Sequence, residues 1–64
     1  MKREKLQEFR QRKKLTQEQM ASILEVTFSH YKAIEYCQRN PSFDLLKRFK
    51  IIFPKANIDK IFLN

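Results

Sequence analysis

The chain has 64 residues, with 14 Lys or Arg against 7 Asp or Glu, a net charge of +7 and a pI near 9.9. A chain this short forms one small domain, predicted to span residues 1–64. The single cysteine, Cys37, excludes an internal disulfide, and a single histidine beside it leaves too few soft ligands for a structural zinc site. No apolar run is long enough for a membrane span or a signal peptide, so we expect a cytoplasmic protein.

The basic charge is concentrated at the two ends of the chain. Residues 1–14 hold seven basic and two acidic side chains, residues 41–64 hold five and two, and residues 15–40 hold only two and three. A basic protein of this kind favours a polyanionic partner. The alternative is that these charges are solvated helix faces and nothing more.

Helical spacing of apolar residues starts near the N-terminus. Leu6 and Phe9 mark one face of a first helix within residues 2–13. Thr16, a favoured N-cap residue, precedes a second helix predicted over residues 17–24.

A third helix is predicted over residues 28–36, with Thr27 as its N-cap. The stretch 26–31, "VTFSHY", has the propensity of a β-strand, but the sequence offers no partner strand elsewhere. We therefore expect a helix here as well. It would follow the second helix after a very tight corner.

Two further helices are predicted after Pro41, which disfavours a helical conformation at Asn40. Ser42 is the expected N-cap of the fourth helix and Asn57 that of the fifth. Their apolar faces carry Leu45, Leu46, Phe49, Ile52 and Phe53, and then Ile58, Ile61 and Phe62. The sequence therefore predicts an all-α fold of five short helices.

Residues 17–36 have the spacing of two short helices that cross at a steep angle. Ala21 is small enough to let the backbone of the third helix pass close to the second. The apolar residues that would fill the wedge between the two helices are Met20, Leu24, Val26, Tyr31 and Ile34. This spacing is typical of a helix-turn-helix, whose second helix protrudes to enter a DNA major groove.

The segment resembles the phage repressor/Cro-type helix-turn-helix, the XRE family. The resemblance covers about residues 3–63 and includes "KLQEFRQRKKLTQEQMA" before the corner, "IEYCQRNPS" after it and "NIDKIF" further on. It implies a lambda-repressor-like fold. It also implies a small, Cro-like repressor that regulates transcription by binding a pseudo-palindromic double-stranded DNA operator as a homodimer.

The same resemblance implies roles for individual residues. Those that face base edges are Thr27, Phe28, Ser29, Lys32 and Ala33, and those near the DNA backbone are Gln17, Tyr36 and Arg39. Arg10 and Glu35 match a partly buried ion pair that ties the first helix to the third.

Three residues depart from the family pattern. Glu25 stands at a turn position that is usually glycine, and Cys37 stands where glycine usually ends the third helix. Both positions favour φ > 0, which costs a non-glycine residue about 1 kcal/mol. Phe28 occupies a site that is more often polar, and it either enters the groove or packs against Tyr31. Tyr36 likewise either contacts phosphate or belongs to the core.

Other classes of function are disfavoured by what the sequence lacks. It has no nucleophile–base pair, paired carboxylates, metal-ligand cluster or phosphate-binding glycine loop, so we predict no enzyme, cofactor, metal or small-molecule ligand. A membrane binder is disfavoured because the helices are short and capped. The alternative that stays open is a protein-interaction or antitoxin-like module that retains the fold, since the third helix has little positive charge.

The C-terminal residues carry more apolar surface than a last helical turn needs. They are Ile58, Ile61, Phe62 and Leu63. We predict that part of this surface forms a two-fold contact between copies. Such a contact would set two recognition helices one DNA turn apart, about 34 Å.

Overall fold

The computed structural model describes residues 2–62, which form five helices and, within that range, no strand. The helices are α1 (Glu4–Arg12), α2 (Gln17–Ile23), α3 (Phe28–Glu35), α4 (Phe43–Ile52) and α5 (Ile58–Phe62). The predicted all-α fold is confirmed. The stretch 26–31, despite its strand propensity, supplies the end of a turn and the start of α3.

Side-chain caps start the last four helices, at the positions that the sequence predicts. Thr16 Oγ1 accepts a hydrogen bond from the backbone N–H of Gln19 (3.1 Å), and Gln19 Oε1 accepts one from the N–H of Thr16 (2.9 Å). This pair of bonds is a capping box. The side chains of Thr27, Ser42 and Asn57 each accept from the N–H three residues later, at 3.1 Å. These bonds satisfy N–H groups that a helix leaves unpaired at its start.

The ends of α1, α2 and α3 each include one residue with a left-handed backbone, although the chain contains no glycine. These residues are Lys14 (φ 59°), Glu25 (φ 60°) and Cys37 (φ 59°). The sequence predicts positive φ at Glu25 and Cys37, and Lys14 is an addition from the structure. Each costs about 1 kcal/mol relative to a residue without a Cβ.

All three helix ends repeat the same pair of backbone hydrogen bonds. At the end of α2, the N–H of Val26 donates to the carbonyl of Ala21 (3.0 Å), and the N–H of Glu25 donates to that of Ser22 (3.1 Å). This is the Schellman motif, which satisfies carbonyl groups that the helix leaves free. It reverses the chain within two residues and so produces the tight corner between α2 and α3.

The wedge between α2 and α3 is filled as the sequence predicts. Met20, Leu24 and Ile34 have no exposed surface, and Tyr31 is 1% exposed. Ala21 is 2% exposed, and the absence of a longer side chain there lets α3 lie close to α2. Val26 packs against this cluster from its edge. Removing these apolar surfaces from water is the main driving force that holds the helix pair together.

Aromatic rings extend the core from α1 to α4 and α5. Phe49 is fully buried, and its ring centre lies 5.0 to 5.3 Å from the ring centres of Phe9, Phe53 and Phe62. Rings tilted or edge-on at such distances add to the energy of simple area burial. This cluster joins α1, α4 and α5 in one core with the residues of α2 and α3.

The apolar residues near the C-terminus are mostly used inside the chain. Ile61 is 7% exposed and Phe62 is 3% exposed, because α5 packs against α1. Neither is available for the two-fold contact, which stays a prediction for the other apolar residues of this segment, of which Ile58 is only partly buried. Leu63 lies outside the described residues. The exposed large apolar side chains lie chiefly on α4, where Phe43 is 77% and Ile51 is 73% exposed.

Candidate nucleic-acid interface

The outward face of α3 presents the residues that the sequence predicts to face bases. These residues lie on α3 or at its cap, and none is buried: Thr27, Phe28, Ser29, Lys32 and Ala33. The opposite face of the helix, with Tyr31, Ile34 and Glu35, is buried. One face is therefore fixed to the core while the other carries small, apolar and basic groups, an arrangement suited to a major groove.

Phe28 and Lys32 lie together on this face. The ammonium group of Lys32 is 5.7 Å from the centre of the Phe28 ring, within the range of a cation–π interaction. Phe28 is 42% exposed, so part of its ring remains accessible to a base. Tyr31, the alternative partner for Phe28, is 1% exposed, and its hydroxyl group donates to Glu35 inside the core.

Thr27 is held in one orientation by its capping role. Its Oγ1 accepts a hydrogen bond from the backbone N–H of His30 (3.1 Å). A hydroxyl group that accepts in this way still has its own hydrogen to donate. Thr27 can therefore cap α3 and donate to an acceptor outside the protein at the same time.

The residues predicted to lie near the DNA backbone surround the helix pair. Gln17 begins α2, and its Nε2 donates to Glu35 Oε1 (3.0 Å), so it braces the end of α3. Tyr36, the C-cap of α3, is partly buried, and the Lys2 ammonium lies 5.4 Å from the centre of its ring. Arg39 is exposed just beyond α3.

A buried carboxylate joins α1, α2 and α3 behind this face. Glu35 is 4% exposed. Its Oε2 accepts from Arg10 Nε (2.6 Å) and from the Tyr31 hydroxyl (2.5 Å), and its Oε1 accepts from Gln17 Nε2 (3.0 Å). Arg10 and Glu35 thus form an ion pair, and Arg10 also donates to the carbonyl of Leu15 (2.9 Å). Throughout residues 2–62, every buried side-chain nitrogen and oxygen has a hydrogen-bond partner.

The protonation states of this network are fixed by its geometry. Burial alone would raise the pKa of Glu35, but hydrogen bonds from Arg10, Tyr31 and Gln17 outweigh burial and hold this pKa below its ordinary value. Burial raises the pKa of Tyr31, and its hydrogen bond to the Glu35 carboxylate raises it further. Glu35 is therefore ionised and Tyr31 is a neutral donor near neutral pH. The outward face of α3 is therefore supported by a network that does not titrate near neutral pH.

Arg3 is a structural residue whose role no sequence pattern predicts. Its backbone N–H donates to the carbonyl of Glu35 (2.6 Å), and its guanidinium donates to the carbonyls of Ile34 (2.8 Å) and Phe62 (3.3 Å) and to Asn40 Oδ1 (3.2 Å). Cations are favourable at helix C-termini, where carbonyl groups lack partners. Arg3 therefore links the C-terminal ends of α3 and α5, and its side chain is only partly exposed to solvent.

Arg48 plays a comparable part at the corner between α2 and α3. Its Nη1 donates to the carbonyl of Leu24 (3.0 Å), and its Nε lies 3.6 Å from Glu25 Oε2. These contacts support the residue with φ 60°. In sequence, Arg3 and Arg48 are indistinguishable from basic residues that would contact phosphate, because the backbone carbonyls to which they donate lie at least 24 residues away.

A short helix pair joined by a tight turn, with its second helix exposed on one face and braced on the other, defines a helix-turn-helix DNA-binding domain. The chain belongs to the helix-turn-helix family, whose model matches residues 6–49. The members of this family are DNA-binding regulators of the XRE kind. No curated protein and no solved structure gives a significant match to the chain.

No helix within residues 2–62 is both long and apolar enough to cross a membrane. The same part of the chain contains no group of three or more His, Cys, Asp and Glu side chains placed to hold a metal ion.

Proposed function

We propose that the protein is a sequence-specific transcriptional regulator, a small Cro-like repressor that acts in the cytoplasm and reads an operator with α3 in the major groove. The observation that carries this proposal is the contrast between the two faces of α3. Ser29 and Lys32 are exposed on one face, while Glu35 on the other is held by three side chains. Such rigid support is what a base-reading helix requires, because contacts must be placed to within a fraction of an ångström.

The base-reading roles follow from the chemistry of each side chain. Phe28 has no hydrogen-bonding group, so in the groove it favours a thymine methyl group. Lys32 favours guanine O6 and N7, and Ser29 can bond to several bases. Ala33 and Thr27 allow close approach of a base or a methyl group. The contact between Lys32 and the Phe28 ring, 5.7 Å from ammonium to ring centre, would orient both residues toward neighbouring base pairs.

The phosphate-contacting roles fall to residues at the edges of the helix pair. Gln17, Tyr36 and Arg39 are the proposed contacts, and Lys2 beside Tyr36 adds a nearby positive charge. Contacts of this kind set the orientation of the protein on DNA without selecting a sequence. They also supply most of the salt-dependent affinity, because each neutralised phosphate releases counterions.

The proposed active form is a homodimer on a pseudo-palindromic operator. One recognition helix contacts only a few base pairs, and a two-fold pair of helices doubles that number at a fixed spacing of about 34 Å. The net charge of +7 opposes association of two free copies. We therefore expect the dimer to form most readily on DNA, where phosphates offset this charge.

Selection of bound sequences from a random duplex pool tests this function directly. We expect enrichment of two half-sites in inverted orientation, and sedimentation should then give two protein chains on each full operator. A strict 1:1 complex on the full site would contradict the dimer. Failure to enrich any sequence would contradict sequence-specific binding.

One observation favours a second function, a protein-interaction or antitoxin-like module. Lys32 is the sole basic residue of α3, so the recognition helix itself attracts phosphate weakly. A salt titration separates the two functions. Affinity for DNA should fall steeply as salt rises, whereas binding through an apolar protein interface should change little.

A further inference from the structure

The outward face of α4 carries an alternation of apolar and basic residues. Phe43, Lys47 and Ile51 follow one another at intervals of four residues, so they lie in one row along the helix. Phe43 is 77% exposed and Ile51 is 73% exposed, while Leu45 and Phe49 on the other side are buried. The row therefore faces away from the core. Two large apolar side chains this exposed on one short helix are the kind of surface that proteins use to bind partners.

A shallow groove, largely open to solvent, lies beside this row. It is lined by residues of α4 together with the first residue of α5, four of them apolar and two of them lysines: Phe43, Leu46, Lys47, Lys50, Ile51 and Ile58. Lys50 is held in place because its ammonium donates to the carbonyl of Ala56 (2.7 Å). None of the lining residues belongs to α2 or α3. The groove is thus separate from the face that is proposed to read DNA.

A second copy of the chain is a poor occupant of this surface. If two α4 helices packed antiparallel about a two-fold axis, Phe43 of each would meet Ile51 of the other. Lys47, midway between them, would then face its own counterpart. Like charges placed directly opposite each other oppose binding, and the net charge of +7 on each chain adds to the repulsion.

We propose that this face of α4 binds an acidic, amphipathic helix of another protein. The complement of an apolar–basic–apolar row is a row in which two apolar residues flank Glu or Asp at the same four-residue spacing. Its central carboxylate would pair with Lys47, and one apolar side chain would enter the groove beside Leu46 and Ile58. Binding of this type, a helix against an apolar surface, uses anchors at regular helical spacing. It does not depend on the proposed DNA-binding function.

The test uses a synthetic alanine-based helical peptide with Leu, Glu and Leu at successive four-residue spacings. Titrated into ¹⁵N-labelled full chain, it should produce saturable shifts in the amide resonances of α4 and Ile58 but not in those of α3. Lys47→Glu should weaken binding at least about tenfold. A peptide with Lys in place of its Glu should bind this variant and not the wild type.

Two control variants make the result specific. Lys60→Glu changes the net charge equally but lies outside the groove, and it should leave peptide binding unchanged. Phe43→Ser should abolish peptide binding while the thermal melt stays close to that of wild type, because Phe43 contributes little to the core.

Several results would overturn the proposal. One is the absence of saturable binding, and another is an equal loss of peptide binding in Lys60→Glu and Lys47→Glu. Sedimentation that shows self-association abolished by Phe43→Ser would assign the face to a second copy. Binding to vesicles of anionic phospholipid that is lost in Phe43→Ser, with no binding of the peptide, would assign it to a membrane surface.

Discussion

The guanidinium of Arg10 and the carboxylate of Glu35 meet inside the core, with Nε 2.6 Å from Oε2. This contact ties α1 to the last residue of α3, the helix proposed to read DNA. Arg10 is 9% exposed and Glu35 is 4% exposed, so neither charge can be solvated if its partner is removed. The net contribution of a buried ion pair to stability is small, because the cost of removing both charges from water offsets their attraction. Removing one partner costs much more, because the other charge is left buried and unpaired.

Removing either partner should therefore destabilise the fold severely. We expect Glu35→Gln and Arg10→Met each to lower the free energy of unfolding by about 3 kcal/mol, because each leaves the charge of the other residue buried and unpaired. For a domain of this size that is a large part of the total stability. Thermal melts measure the effect, with Glu8→Gln on the exposed face of α1 as the control. If both single variants melt like wild type, the ion pair is unimportant for stability.

Acidification should destabilise the protein through Glu35. Its pKa in the folded protein is lowered from a reference value of 4.5, so the unfolded chain takes up a proton at a higher pH than the folded one. This stabilisation is complete above that reference value and is lost as pH falls through the folded pKa. Chemical unfolding at a series of pH values should show that the free energy of unfolding falls more steeply with decreasing pH in wild type than in Glu35→Gln. If the two proteins lose stability in parallel as pH falls, carboxylates other than Glu35 are responsible for the loss.

Phe28→Ala should affect selective binding more than general binding. We expect a loss of about 1 kcal/mol or more on the selected operator and almost none on random duplex DNA, with relaxed preference at one A·T position. Replacing that thymine by uracil, which removes only the methyl group, should weaken wild-type binding and leave Phe28→Ala unaffected. Fluorescence anisotropy measures both affinities. Equal losses on both DNAs, or none on either, would show that Phe28 packs on the protein surface and reads no base.

Arg39→Ala should weaken binding to both kinds of DNA to a similar extent. A residue that contacts only phosphate carries no sequence information, and its loss should reduce the slope of log affinity against log salt by about one unit. The same titration on Lys55→Ala, a lysine exposed between α4 and α5, provides a variant of equal net charge. If both variants change the slope equally, the effect reflects total charge and not a contact of Arg39.

Glycine at the left-handed positions should stabilise the fold. Lys14→Gly and Cys37→Gly each relieve a backbone with φ 59° and are expected to raise the free energy of unfolding by up to about 1 kcal/mol. Greater freedom of glycine in the unfolded chain offsets part of this gain. Gln11→Gly inside α1 is the matched control and should cost about 1 kcal/mol. If denaturant melts show that all three variants are less stable than wild type, the backbone is not strained at these helix ends.

How far the sequence predicts this molecule depends on the range of each interaction. The caps at Thr16, Thr27 and Ser42 were predictable because a cap involves residues only three apart. The apolar wedge between α2 and α3 was predictable for the same reason. Local spacing also indicated that Ile61 and Phe62 form an apolar face. It could not indicate whether that face meets the same chain or another copy, since this depends on the packing of α5 against α1.

The site residues divide in the same way. The positions on α3 that face outward were implied by the resemblance to the helix-turn-helix family, and the structure leaves all of these residues unburied. Arg3 and Arg48 could not be assigned, because a long flexible side chain gives no sequence pattern that identifies a partner carbonyl 24 or 59 residues away. Lys14 was missed because lysine carries no turn preference. The exposure of Phe43 and Ile51 could not be predicted, because α4 carries apolar residues on more than one face and spacing alone does not show which face stays uncovered.

Arg3 Nε donates to the carbonyl oxygen of Phe62 at 3.3 Å. This contact brings the two ends of the described chain together. Residues 59 positions apart in sequence become neighbours beside the end of α3. A circular permutant with these two points joined by a short linker, and opened instead in the loop between α4 and α5, would keep every helix intact. Anything fused at either point would leave the molecule from the same side, close to the C-terminal end of α3.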